Sequence, residues 1–125
     1  MKECKDVETF EKELAEASCH SAGDMDVFGF HNAGDRLILV EFSAVWCFPC
    51  TMMKPHVQSL ENEMHDVVFL TVDVDQNAAT AEKYEVEAMP TYIFLKSTEK
   101  KDQIMGADIG KLKAMMIELV NPQSP

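Results

Sequence analysis

Leu37-Ile38-Leu39-Val40-Glu41-Phe42-Ser43-Ala44-Val45-Trp46-Cys47-Phe48-Pro49-Cys50 joins two kinds of pattern. Leu37 to Phe42 is an apolar run broken only by Glu41, as suits a central strand covered on both faces. Two cysteines flanking two residues then fall where strand should give way to helix. Cys47 is thereby expected at a helix N-terminus, where unpaired backbone N–H groups and the helix dipole favour an anion. The thiolate is the nucleophile, so a lowered thiol pKa raises reactivity. Cys50, three residues on, is the neighbouring helix position facing the same way. From there it can attack a mixed disulfide formed by Cys47 and release a reduced substrate. Pro49 suits the first helical turn, where its missing N–H would have no intrahelical partner.

Two other readings exist for the pair: half of a zinc site, or an incidental coincidence. A zinc knuckle needs a second pair of ligands at suitable spacing. Cys4, Cys19 and His20 do not supply one convincingly, and His31, His56 and His65 show no metal-ligand spacing. No metal is therefore expected.

Working outward, Asp6 caps a first helix whose apolar positions Val7, Phe10, Leu14 and Ala17 recur at three- and four-residue steps. Residues 18–32 are rich in Gly, Ser, His and Asp and show no clean period. Beyond the cysteines, Asp66 ends the helical region before a second apolar run, Val67 to Val72. A short helix is predicted from Asn77 to Tyr84. Thr91 to Leu95 and Gln103 to Met105 read as further strands, joined by the polar turn Ser97-Thr98-Glu99-Lys100. Asp108 caps a closing helix with Ile109, Leu112, Met115, Met116 and Leu119 inward, and residues 121–125 should fray. At the other end, Lys2, Glu3 and Lys5 interrupt any apolar face of a first edge strand. The order predicts one α/β domain over residues 1–125, with a mixed sheet of four to five strands and helices on both faces.

The chain has 125 residues, 46% hydrophobic and 26% charged, with a formal net charge of -11. That size is enough for one core, and the charge makes nucleic acid and anionic membrane surfaces poor partners. Met1-Lys2-Glu3-Cys4-Lys5-Asp6 has no apolar run behind it, so neither a signal peptide nor a transmembrane helix is expected. Four cysteines without an export signal read as thiols rather than a disulfide framework, and the cytosol is the expected compartment. Cys4 and Cys19 are expected to be free surface thiols.

Phe42 to Cys50 resembles the active-site segment of the thioredoxin family. Lys54-Pro55 in the following helix, Val72-Asp73-Val74-Asp75 at the end of the next strand, Met89-Pro90-Thr91 before the hairpin and Gly106-Ala107 before the last helix match in the same order. The resemblance runs from about Leu37 to Val120 and is nearest the animal cytosolic type. It implies the thioredoxin fold and a dithiol that reduces protein disulfides, with Cys47 as nucleophile and Cys50 as resolving thiol. It implies no bound cofactor beyond the redox-active Cys47–Cys50 disulfide. Electrons would come from NADPH through thioredoxin reductase, so that enzyme and disulfide-containing proteins are the implied partners. It further implies a cis Met89–Pro90 bond, with Pro90 against the sulfurs and the Met89 backbone pairing with an extended substrate peptide. By itself Pro90 reads as a trans turn proline before a strand. Trp46 would form a lid beside the sulfurs, its indole N–H held by Asp75. Read without the family, Trp46 is a core aromatic and Asp75 a solvated loop acid.

The chain also departs from the family. Phe48 stands where Gly is usual, adding an apolar ring to the recognition surface formed with Trp46 and Pro49. Neither residue between the cysteines is His; a cationic neighbour would stabilise the thiolate and make the site more oxidising. Its absence favours a reductant over an oxidase or isomerase. Glu41 aligns with the family's buried Asp. A carboxyl under the active site resists ionisation and can relay the proton of Cys50; the alternative is that Glu41 turns out to water. Thr51 replaces a frequent Lys, and Thr98 takes a turn position usually held by Gly. Residues 18–32 form an insertion of about fifteen residues by alignment, long for an unstructured loop. A six-residue strand puts it about 20 Å from the cysteines. A redox-gated binding module with little turnover is the competing function.

Overall fold

The computed structural model describes residues 1–18 and 36–120. The expected insertion, apart from Ser18, and the expected frayed end lie outside the described residues, as do Cys19, His20 and His31. The elements are β1 (Lys2–Glu3), α1 (Val7–Ser18), β2 (Leu37–Ser43), α2 (Phe48–Glu63), β3 (Val68–Asp73), α3 (Ala78–Lys83), β4 (Thr91–Lys96), β5 (Glu99–Met105) and α4 (Ile109–Val120).

The strands form one sheet in the order β1-β3-β2-β4-β5. β1, β3 and β2 run parallel, while β4 and β5 join antiparallel. β2 is buried from Leu37 to Phe42 because alternate side chains enter two different cores. Ile38, Val40 and Phe42 cluster with Phe10, Leu14 and Ala17 of α1 and Ala81 of α3. Leu37 and Leu39 cluster with Met53, Val57 and Leu60 of α2 and with Leu112 and Met116 of α4. Full enclosure of a Leu or Met side chain contributes about 1.5–3 kcal/mol. Two helices on each face thus hold β2 at the centre, and α2 leaves its C-terminal end carrying the cysteines.

The helix starts follow the capping residues. Asp6 Oδ1 accepts the Thr9 N–H at 2.7 Å, Asn77 Oδ1 the Thr80 N–H at 3.2 Å, and Asp108 Oδ1 the Lys111 N–H at 3.0 Å. Each oxygen satisfies one of the amides that a helix start leaves without an intrahelical partner.

Three expectations need correction, and the expected four to five strands resolve to five. Val7 is exposed, and α1 begins to bury side chains only one turn later, at Phe10. The first strand is present: Lys2 lies opposite Leu70 and Glu3 opposite Thr71. Its two side chains remain in solvent, and pairing uses backbone groups alone. β5 starts at Glu99, because the charged stretch after the turn is an exposed edge strand rather than part of the turn. The turn itself is Ser97-Thr98, flanked by the Lys96–Glu99 pair, with φ of +51° and +64°. Two positive φ values are the requirement of a type I′ hairpin turn, met here without glycine. Finally, Cys4 is completely buried rather than a surface thiol. Its N–H donates to the Thr71 carbonyl at 2.8 Å, carrying the β1 edge inward over the α1 face. Burial first, then the Glu13 carboxylate, pushes its thiol up to about 11.

Candidate active site

The β2 chain leaves the sheet at Ser43 and turns at once, the Cys47 N–H donating to the Ala44 carbonyl at 3.1 Å. Cys47 is the N-cap of α2, with φ -89° and ψ 109°, and Pro49 occupies the first turn. Its Sγ accepts the Cys50 N–H at 3.2 Å, a contact that becomes charge-assisted when Cys47 is a thiolate. The Cys47 carbonyl accepts from the Thr51 N–H at 3.1 Å and from its hydroxyl at 3.3 Å. Cys47 and Cys50 form a disulfide with Cα atoms 5.3 Å apart. Exposure does not separate the two, at 5% and 3%; the helix-end amide does, because it faces the sulfur of Cys47.

Ala44, Cys47 and Cys50 form a small cluster against which Val74 and Met89 pack. The Met89–Pro90 bond is cis, and Pro90 is buried. The Pro90 carbonyl accepts the Gly106 N–H at 2.8 Å, and Gly106 adopts φ +102°, a conformation open to glycine without strain. Around the disulfide, Val45, Trp46, Phe48 and Met52 expose apolar surface, and Pro49 is exposed between them. Trp46 is therefore not a core residue. Its Nε1–H donates to Asp75 Oδ2 at 2.7 Å, a bond from the α2 approach to the loop after β3.

Glu41 points inward at 5% exposure. Tyr92 Oη donates to its Oε2 at 3.0 Å, and Thr71 Oγ1 to its Oε1 at 3.3 Å. Desolvation raises the Glu41 pKa above the ordinary carboxylate range, while the bonds from Tyr92 and Thr71 and the charge of Lys54 pull the other way. Glu41, Cys50 and Lys54 line one open cleft of about 500 Å³ beside the disulfide. Glu41 stands out in the sequence as the lone acid of an apolar run, whereas neither of its hydroxyl partners does. Tyr92 and Thr71 meet it only through strand register, opposite it on β4 and β3. No metal-holding group of three or more His, Cys, Asp or Glu side chains occurs among the described residues.

A helix-capping cysteine paired with a second one turn on, beside a cis proline in this sheet order, defines a thiol–disulfide oxidoreductase. Known proteins agree with that class. A family model described as thioredoxin matches residues 28–118. Human thioredoxin is 47% identical over 88 residues, covering 70% of this chain and 84% of its own. Sheep (Ovis aries) thioredoxin is 44% identical over 90 residues, covering 72% and 86%. Among solved structures, Fasciola hepatica thioredoxin superposes with a TM-score of 0.79 at 35% identity, covering 94% of this chain and 98% of its own. Schistosoma mansoni thioredoxin gives 0.76 at 32% identity, covering 93% and 92%. The chain belongs to the thioredoxin family, and it is a thioredoxin-type disulfide oxidoreductase.

Proposed function

We propose that the chain is an electron donor to protein disulfides, returned to its dithiol state by NADPH-dependent thioredoxin reductase. The observation that carries this reading is the Cys47 sulfur at the N-cap of α2, facing a helix-end amide inside an exposed apolar rim. An anionic sulfur is favoured there, and no cationic side chain lies between the cysteines, which favours a reductant over an oxidant.

In the forward half-cycle the Cys47 thiolate attacks one sulfur of a substrate disulfide, forming a mixed disulfide and expelling a substrate thiolate. Cys50 passes its proton to Glu41 across the shared cleft. Its thiolate then attacks Cys47 Sγ, closes the Cys47–Cys50 disulfide and expels the second substrate thiolate. Two electrons have moved to the substrate, and the reductase restores them. Trp46, Phe48 and Pro49 form one side of the substrate surface. The Met89 backbone and Pro90 form the other, with Asp75 holding Trp46. The cytosol is the proposed compartment, supported by the resemblance to the animal cytosolic type. No helix among the described residues is long and apolar enough to cross a membrane.

The test is NADPH consumption with thioredoxin reductase and a protein disulfide, comparing the native chain with Cys47→Ser. Turnover lost in the variant supports the dithiol cycle. A folded native chain without turnover rejects it in favour of redox-gated binding, for which exposed Phe48 is the favouring observation.

A further inference from the structure

Thr71, Glu41 and Tyr92 occupy one row across β3, β2 and β4, each directly opposite the next. Side chains in such a row stand on the same face of a sheet, here the face covered by α2 and α4. Glu41 is the acid of the row, and each of its oxygens accepts one hydroxyl. The shorter of the two bonds comes from Tyr92, a side chain with no exposed surface.

We propose that Tyr92 is the positioning residue of the Glu41 carboxyl, its hydroxyl fixing Oε2 and holding the group ready to accept the Cys50 proton. This rests on the reading that Glu41 takes that proton. A carboxylate accepts the Tyr92 hydrogen bond more strongly than a carboxylic acid does, so the bond favours the form of Glu41 that can receive a proton. It thereby extends resolution to lower pH than burial alone would permit. Burial and the facing Glu41 carboxylate both keep the Tyr92 hydroxyl protonated, so it remains a donor throughout the working range.

The other groups facing Glu41 act differently. Lys54 attracts the carboxylate from α2, while Glu3, Asp73 and Glu61 line the cleft with like charge. Glu61 is itself paired with the Met1 amine. On the α4 side the packed residues Leu112 and Met116 carry no charge. Among these groups, the hydrogen bonds to Glu41 come from Tyr92 and Thr71.

Cys50 Sγ–H gives its proton to Glu41, and its sulfur electron pair forms the bond to Cys47 Sγ. The bond between Cys47 and the departing sulfur breaks, and that sulfur leaves with the pair as a thiolate. Mixing the reduced protein with dithionitrobenzoate reads both halves, because attack by Cys47 releases one nitrothiolate and resolution by Cys50 releases a second.

Stopped-flow profiles of the second release from pH 5 to 9 are compared for the native chain, Tyr92→Phe and Glu41→Gln, alongside infrared titration of the Glu41 carboxyl. Loss of a hydrogen bond to a charged group moves a carboxyl by about one pH unit. Tyr92→Phe should therefore shift the second release and the carboxyl titration upward by about that much. The second release should slow by up to about tenfold on the acid side, with the first release unchanged. The chain has two tyrosines, and Tyr84 packs on the opposite face of the sheet. Incorporating 3-fluorotyrosine, a stronger donor of the same shape, should move both readouts downward, and it serves if the Phe variant does not fold. Native profiles in both tyrosine variants, with Glu41→Gln altered, overturn the role of Tyr92 and leave the relay intact. A native profile in Glu41→Gln overturns the relay and the role of Tyr92 with it.

Discussion

Trp46 and Asp75, 29 residues apart in the chain, are joined by a 2.7 Å hydrogen bond from indole to carboxylate at the rim of the disulfide. The bond ties the turn before α2 to the loop after β3 and fixes a ring that is otherwise 65% exposed. Asp75→Ala removes the acceptor while leaving both sulfurs in place. A net hydrogen bond of about 0.5–1.5 kcal/mol is lost, so KM for protein disulfides should rise roughly twofold to tenfold with kcat nearly unchanged. Trp46 is the only tryptophan, so its emission maximum reports the release directly. An unchanged emission spectrum in the variant argues that the bond does not form in solution.

Phe48 exposes 70% of its surface at the first position of α2. Phe48→Gly should leave reduction of a small aromatic disulfide unaltered. For protein disulfides that cover the ring, losing about 1–2 kcal/mol of apolar burial should raise KM roughly fivefold to thirtyfold. Equal effects on both substrate types would move Phe48 from recognition to chemistry.

Cys50→Ser leaves the Cys47 thiolate able to attack but removes the resolving sulfur. A covalent complex with a protein disulfide substrate should accumulate and survive a non-reducing gel, dissolving on addition of dithiothreitol. Cys47→Ser should form none. Complexes formed through Cys50 in that second variant would reverse the assignment of the two sulfurs.

Glu41 has a sign-specific consequence for stability. Its folded pKa is raised above the usual 4.5, so between those values the folded state holds more protons than the unfolded one. Stability from this group is present below about 4.5 and falls as pH rises through the raised value. Glu41→Gln keeps the shape without the ionisation. Its stability relative to the native chain should therefore increase from pH 4 to pH 8, as read by urea midpoints at each pH. A flat or falling difference means that the carboxyl ionises without cost in the fold.

Cys4 is buried with its thiol pushed up to about 11, so at pH 8 only about one molecule in a thousand carries a thiolate there. In the reduced native protein iodoacetamide should label the peptide of Cys47 and spare that of Cys4, which becomes reactive only in denaturant. Peptide mass mapping distinguishes the sites. Early labelling at Cys4 would mean that β1 detaches from β3 on the labelling timescale.

The fold was legible where local pattern and burial agree. Leu37 to Phe42 enters both cores and is apolar at nearly every position, and the caps Asp6 and Asp108 each announce a helix within three residues. β1 was obscured because Lys2 and Glu3 pair through backbone while their side chains remain in water. β5 was shortened for a related reason: from Glu99 to Asp102 it is an exposed edge whose charges read as a turn.

Chemistry carried by neighbouring residues is readable from the chain alone. Two cysteines three residues apart at a strand-to-helix junction give a capping sulfur and a second sulfur one turn on through local backbone geometry alone. Pairing across strands emerges only when the chain is packed. Tyr92 and Thr71 reach Glu41 from 51 and 30 residues away, and Cys4 is buried because β1 docks beside β3. Register and docking are set by the summed packing of the two cores, which no single stretch of chain contains.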